Sequence, residues 1–306
     1  MDASPEIVKH LLPSVANLYA QVPAKHPSAA ILGRERMGTG TIVDPEGLIL
    51  TVNYVVMGSE TIWVTLTRGR RLKAELVAQD FDIGLALVRV KRQDLPAIEI
   101  GSSTEVEVGQ EIFVLASTSG EERRVSGGLV TYVGEFDAYW EYSLERALIV
   151  SAANPGFGGG PLLTLTGRMI GVTSLNLNEL ARYALAIPIE RYCEHYEEWL
   201  RFGAIVHRPR RAWLGLFAHP VEEGVVIAGL VPSGPAERSG LQEGDLIVTV
   251  NAEEIATRKA FYAALWRHGP GERLVIEVMR DGSLKRFEAV SGDRAEFYRQ
   301  GATIDR

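Results

Sequence analysis

Residues 151–163 read SAANPGFGGGPLL. The stretch lies between two apolar runs, ALIV before it and PLLTLTGRMIGVTSL after it. A strand, a glycine-rich loop and a second strand form a setting in which a fold presents a reactive hydroxyl. The residue at the centre of this loop is Gly158, which has no side chain to present.

Working outward, residues 39–200 consist mainly of short β-type runs. GTIVDPEGLILTVNYVV turns at DPEG, 44–47, between two apolar segments, a hairpin signal. TIWVTLT, RLKAELVAQD, IGLALVRV, EIFVLAST, GGLVTYVGEF and YALAIPI follow at strand length, broken by glycine, aspartate or basic turns. Strands in this number without helices between them predict an all-β barrel or sandwich pair and not βαβ units. ERYCEHYEEWLRFG, 190–203, reads as one helix with Tyr192, Tyr196, Trp199 and Leu200 at helical spacing and Gly203 as its stop. His195 on that helix reads as a surface or a satisfied residue, since a ligand role would need partners that the sequence does not supply. GAIVHRPRR has the composition of a linker, and a second module opens at AWLGLF, 212–217. It carries a helix, TRKAFYAALWRH, and a hairpin turning at Asp281-Gly282. The polar end, SGDRAEFYRQGATIDR, is expected to fray.

Composition narrows the function. A chain of 306 residues accommodates two domains. With 46% hydrophobic and 23% charged residues it has an ordinary globular balance, and no apolar run reaches the roughly 20 residues that span a bilayer. A net charge of −7 argues against a general nucleic-acid surface. RGRR, 68–71, reads as a hairpin turn and HRPRR, 207–211, as solvated linker. The single cysteine, Cys193, excludes an internal disulfide and a multi-cysteine zinc site, and no cofactor is implied. The first residues lack the basic region and apolar core of a secretory signal. The compartment is therefore cytoplasmic if Met1 is native, and periplasmic or membrane-associated if a signal segment was removed.

Four segments in order resemble the HtrA/DegP family. GTGTIVDPEGLILTVNYVV resembles the hairpin leading to that family's catalytic histidine, and VAQDFDIGLALVRV the segment carrying its aspartate. NPGFGGGPLL resembles the nucleophile loop, and SGPAERSGLQEGDLIVTVN the PDZ signature. The resemblance implies a mostly β chain: a chymotrypsin/trypsin-like double β-barrel at 39–202 after an N-terminal segment 1–38, a linker 203–211, an α+β PDZ domain at 212–290 and a tail 291–306. Carried over position by position, the histidine slot holds Tyr54, the aspartate slot Gly84 and the serine slot Gly158.

Acyl transfer needs a nucleophile, a base titrating near neutrality and a group that orients the base. Gly158 and Gly84 offer no functional group, and an ordinary tyrosine, with a pKa of about 10, is a poor base at neutral pH. The histidines are His10, His26, His195, His207, His219 and His268, none of them between 27 and 194. Asp82 would share a strand face with position 84 but has no histidine to orient. Ser151 and Ser126 read as strand-end and turn hydroxyls, and Cys193 as half-buried packing. The backbone N–H groups of Gly156 and Gly158 remain as an oxyanion pair. Two functions stand: a pseudoprotease acting as a binding scaffold, chaperone-like or as an assembly subunit, and a serine-type endopeptidase with a rearranged site.

The second module retains what peptide capture requires. The resemblance implies a groove that adds a protein or peptide C-terminus as a strand and holds its carboxylate on free N–H groups. Trp213, Leu214, Gly215 and Leu216 fit the carboxylate loop, with Phe261 and Leu265 on the helix as the opposite wall. The family resemblance further implies a homotrimer, or a subunit of a larger complex, with Tyr19 near the threefold centre.

Overall fold

In a computed structural model, residues 4–177 and 182–300 are described. The chain divides into two compact units, one of residues 1–24, 32–136 and 144–206, the other of residues 25–31, 137–143 and 207–306.

The first unit holds two closed six-stranded barrels. One runs through β1 (Val15–Gln21), β2 (Glu35–Ile42), β3 (Leu48–Val52), β4 (Thr61–Thr65), β5 (Arg71–Gln79) and β6 (Leu85–Val90), in the order β1-β2-β3-β6-β5-β4. The other uses β7 (Glu111–Ser117), β8 (Arg123–Ala138), β9 (Tyr142–Val150), β10 (Pro161–Thr164), β11 (Met169–Leu177) and β12 (Tyr183–Pro188), in the order β10-β11-β12-β9-β8-β7. Alternating side chains fill each barrel. Leu18, Ile42, Leu50 and Leu87 are buried in the first, and Ile112, Val114, Leu148 and Leu162 pack together in the second. Short helices punctuate the unit: α1 (Pro5–Leu11) precedes β1 and α3 (Asn53–Val56) follows β3, whereas α2 (Pro27–Leu32), which follows β1 in the chain, falls almost wholly in the second unit.

Several boundaries differ from the sequence reading. The barrel begins at Val15 and not at residue 39, because β1 pairs with both β2 and β4 and closes the cylinder. Tyr19 is therefore a barrel residue, opposite Met37 and Trp63, with Arg71 over both aromatic rings. The single helix expected at 190–203 is two, α4 (Glu190–Cys193) and α5 (Tyr196–Phe202). His195 leaves helical geometry at φ −115° and starts α5, and Gly203 stops it at φ +70°. Trp199 is fully buried, whereas Leu200 is exposed and lies outside the core.

The second unit carries the sheet β13 (Leu216–Val221), β14 (Gly224–Leu230), β15 (Leu246–Val250), β17 (Arg273–Arg280) and β18 (Ser283–Val290), with β16 (Glu253–Glu254) paired to β15. Helices α6 (Pro235–Arg238) and α7 (Arg258–Leu265) complete this α+β module. The β17–β18 hairpin turns at Asp281 and Gly282, both at positive φ, as a two-residue turn requires. Within the tail expected to fray, residues 294–300 instead form α8 (Arg294–Gln300), and residues 301–306 lie outside the described residues. The aromatic rings of Phe297 and Tyr298 in α8 lie 4.8 and 5.8 Å from Trp213, and that burial orders the segment.

Candidate functional site

The loop 154–160 lies within the first unit, where strands of both barrels hold it by its backbone. Phe157 N–H donates to Ser117 O at 2.9 Å, and Thr39 N–H donates to Gly158 O at 2.7 Å. Thr39 Oγ1 donates to Phe157 O at 2.6 Å, and Gly159 N–H donates to Thr173 O at 2.7 Å. Beneath it, Asn17 Nδ2 donates to Ser117 Oγ and Ser117 Oγ to Gly38 O, a buried polar network. Space is the limiting quantity here. A Cβ at Gly159 would sit 2.0 Å from Thr39 O, on a backbone at φ +102°.

Position 158 is filled from the other barrel. A Cβ there would lie 2.1 Å from Tyr54 Oη and 2.6 Å from Ser174 O. Tyr54 Oη donates to that Ser174 carbonyl at 2.8 Å. Burial pushes this hydroxyl far above the ordinary tyrosine value, so it is a protonated donor and no base. Helix α3, which carries Tyr54, is held by the buried Arg36, whose guanidinium donates to Tyr54 O at 2.9 Å and to Met57 O at 2.8 Å. These are carbonyls that so short a helix leaves unpaired.

Gly84 stands beside α3, its carbonyl accepting the Asn53 N–H at 2.8 Å. Its φ of +85° closes a turn in which Asp80 carboxylate accepts the N–H groups of Asp82 and Ile83. Asp82 thus belongs to a turn and not to a strand face, so the alternation that aligned it with position 84 does not apply. The three positions expected from the resemblance to match a triad, Tyr54, Gly84 and Gly158, therefore lie near one another: Gly158 against Tyr54, and Gly84 against its neighbour Asn53. Of the two expected oxyanion donors, the Gly156 N–H is directed to Asn154 Oδ1 at 3.2 Å, which occupies it within the loop. Ser151 Oγ accepts the Leu129 N–H at 3.0 Å, an ordinary strand-end bond. Ser126 lies within β8 opposite Val114 and not at a turn. Cys193 is exposed as a residue while its thiol is half-buried, and that partial burial, then Glu190 and Glu194, push its pKa up, away from a reactive thiolate. Among the described residues no cluster of His, Cys, Asp or Glu is arranged to hold a metal.

In the second unit, Gly215 sits at φ +76° between Leu214 and Leu216. Leu214, Leu216, Phe261 and Leu265 belong to one buried core, so the side chains expected as groove walls are interior packing. Trp213 is also buried, pairing with Gly292. The backbone N–H groups of 214–216 converge on a single acceptor, the carboxylate of Glu141, a residue that sequence reasoning missed.

The family model for a trypsin-like peptidase domain matches residues 38–172, and that for a PDZ domain matches 212–290. A probable periplasmic serine endoprotease, DegP-like, from Halomonas elongata is 30% identical over 312 residues, covering 94% of this chain. The chain belongs to the HtrA/DegP family. A second DegP-like protein, from Hahella chejuensis, is 32% identical over 260 residues. The chain spans 63% and 54% of the length of these two relatives. The HtrA-type protease AlgW solved with a tripeptide superposes at a TM-score of 0.58 with 27% identity, covering 94% of this chain and 96% of that one. A serine endoprotease from Yersinia pestis superposes at 0.57 with 23% identity, covering 96% and 98%, a likeness of fold. In this HtrA/DegP chain both barrels are closed, and the second unit carries a six-stranded sheet. The trypsin-like match stops at Val172, inside β11, while the second barrel closes only with β12.

Proposed function

We propose that this HtrA-like chain does not hydrolyse peptide bonds and serves as a protein-binding scaffold, chaperone-like or as an assembly subunit. One observation carries the reading: the Tyr54 hydroxyl fills the space that a side chain at 158 needs, and it is tied to Ser174 O. A displaced nucleophile would also need a base, and no histidine lies between residues 27 and 194. The Gly156 donor turned onto Asn154 supports the same conclusion. Binding is assigned to the PDZ groove, which captures C-terminal carboxylates by strand addition, with trimeric assembly through the barrels. The relatives carry the word periplasmic in their names, which favours that compartment for this chain.

The test is incubation of the purified protein with unfolded casein and with a fluorophosphonate probe. Neither cleavage nor labelling above a buffer control is expected. Cleavage that survives purification to homogeneity and is lost on changing Ser151 or Asp82 returns the protein to the serine endopeptidases, the activity named for its relatives.

A further inference from the structure

We propose that residues 137–143 are an intramolecular ligand of the PDZ groove, with the Glu141 side-chain carboxylate standing where a bound peptide's terminal carboxylate would. It follows that outside C-termini bind only in competition with it. The inference rests on the reading that the groove captures carboxylate termini. The segment that joins β8 to β9 in the chain belongs to the second unit. Glu141 Oε1 accepts the N–H groups of Gly215 at 2.7 Å and Leu216 at 3.0 Å, and Oε2 accepts that of Leu214 at 3.1 Å. Convergent backbone N–H groups are the means by which a loop recognises a carboxylate.

The rest of the segment occupies a peptide's place. β13 is an edge strand, and its Ala218 N–H donates to Tyr139 O at 2.6 Å, a strand-type bond. The Tyr139 ring meets Phe217 edge-on at 5.8 Å. From α7, Tyr262 Oη donates to Ala138 O and accepts the Glu141 N–H at 2.9 Å. Arg258, also on α7, binds the carboxylate and carbonyl of Asp137. Arg294 on α8 donates to the carbonyls of Trp140 and Glu141. The segment thus lies between the edge strand and the helix that wall the groove. Glu141 is 2% exposed and turns the chain at φ +56°, which lets a side chain and not a chain end reach the N–H cradle. Burial pushes its carboxyl upward, opposed by Arg294 and the three N–H groups.

The test uses the full chain and a fluorescein-labelled peptide ending in phenylalanine, as free acid and as C-terminal amide. Glu141→Gly removes the carboxylate and suits the positive φ; Glu141→Gln keeps the shape and sets an amide NH2 against N–H donors. Hydrogen exchange at Leu214, Gly215 and Leu216 is measured for each variant alongside binding. The expected result is faster exchange at these amides and at least about tenfold tighter binding of the free acid, since a groove mostly occupied in cis lowers apparent affinity by its open fraction. The amide should gain nothing. Equal free-acid affinity in wild type and both variants, with unchanged exchange, overturns the internal ligand while leaving peptide capture standing. Faster exchange with no binding of either peptide overturns the competition and rejects peptide capture itself.

Discussion

A hydroxymethyl group added at position 158 would enter space already taken by Tyr54 Oη and Ser174 O. Gly158→Ser is therefore expected to destabilise the protein by about 1–3 kcal/mol, the cost of overpacking, and to remain unlabelled by a fluorophosphonate. Urea midpoints check the first outcome and probe labelling the second. Tyr54→Phe removes the bond to Ser174 O and should cost about 1 kcal/mol alone. It also removes the atom nearest the new Cβ, so the pair should cost less than the sum of the singles in a double-mutant cycle. Additive costs would show that Tyr54 does not crowd position 158. Gly215 is constrained differently, by its φ of +76° and by the Trp213 ring, which a Cβ at 215 would meet at 2.9 Å. A tryptophan placed there to block the groove would strain the loop itself, and Glu141 is the better handle.

At the scale of elements, two attachments invite measurement. Glu190 opens α4 and accepts from Ser102 Oγ at 2.8 Å and Ser103 N–H at 2.6 Å. Partial burial raises its carboxyl, but the Ser103 hydroxyl and N–H, with Ser102, outweigh that and hold it below the usual glutamate range. A carboxyl depressed in the folded state adds stability above its unfolded pKa, about 4.3, and loses it as pH falls through the folded value. Glu190→Gln should therefore lower the thermal midpoint at pH 7, with the gap to wild type closing below about pH 4. A gap independent of pH would assign the effect to packing. Helix α8 covers Trp213 through Phe297 and the buried Tyr298. Tyr298→Ala should cost about 3 kcal/mol, the order for an aromatic truncation in a core, and red-shift the tryptophan emission. An unchanged urea midpoint would return the segment to the status of a loose tail.

At the scale of the whole molecule, the HtrA/DegP resemblance predicts a trimer or a subunit of a larger complex. The stretch between β1 and β2, residues 22–34, is short, and the resemblance ties larger cages to a long loop there; light scattering on the purified chain should therefore report a monomer or a trimer, and a cage would overturn that expectation. How much was legible beforehand depends on the range of the signal. The strand runs, the DPEG and Asp281-Gly282 turns and the glycine loop are local patterns; they predicted an all-β barrel or sandwich pair and a second module, and the HtrA/DegP resemblance specified these as a double barrel and a PDZ domain. The sequence alone also determined that the segments resembling the triad motifs carry Tyr54, Gly84 and Gly158, and that no histidine lies between 27 and 194, because these follow from identity and order. Tertiary structure alone decided the rest. The Tyr54–Ser174 bond spans 120 residues and the Gly215–Glu141 bond 74. β1 closes its barrel by pairing with β2 and β4, although its seven residues announce no partner. Periodicity records which face of a strand is buried, not what meets it there. A glutamate at a hairpin tip reads as solvated until three N–H groups from another part of the chain are folded around it.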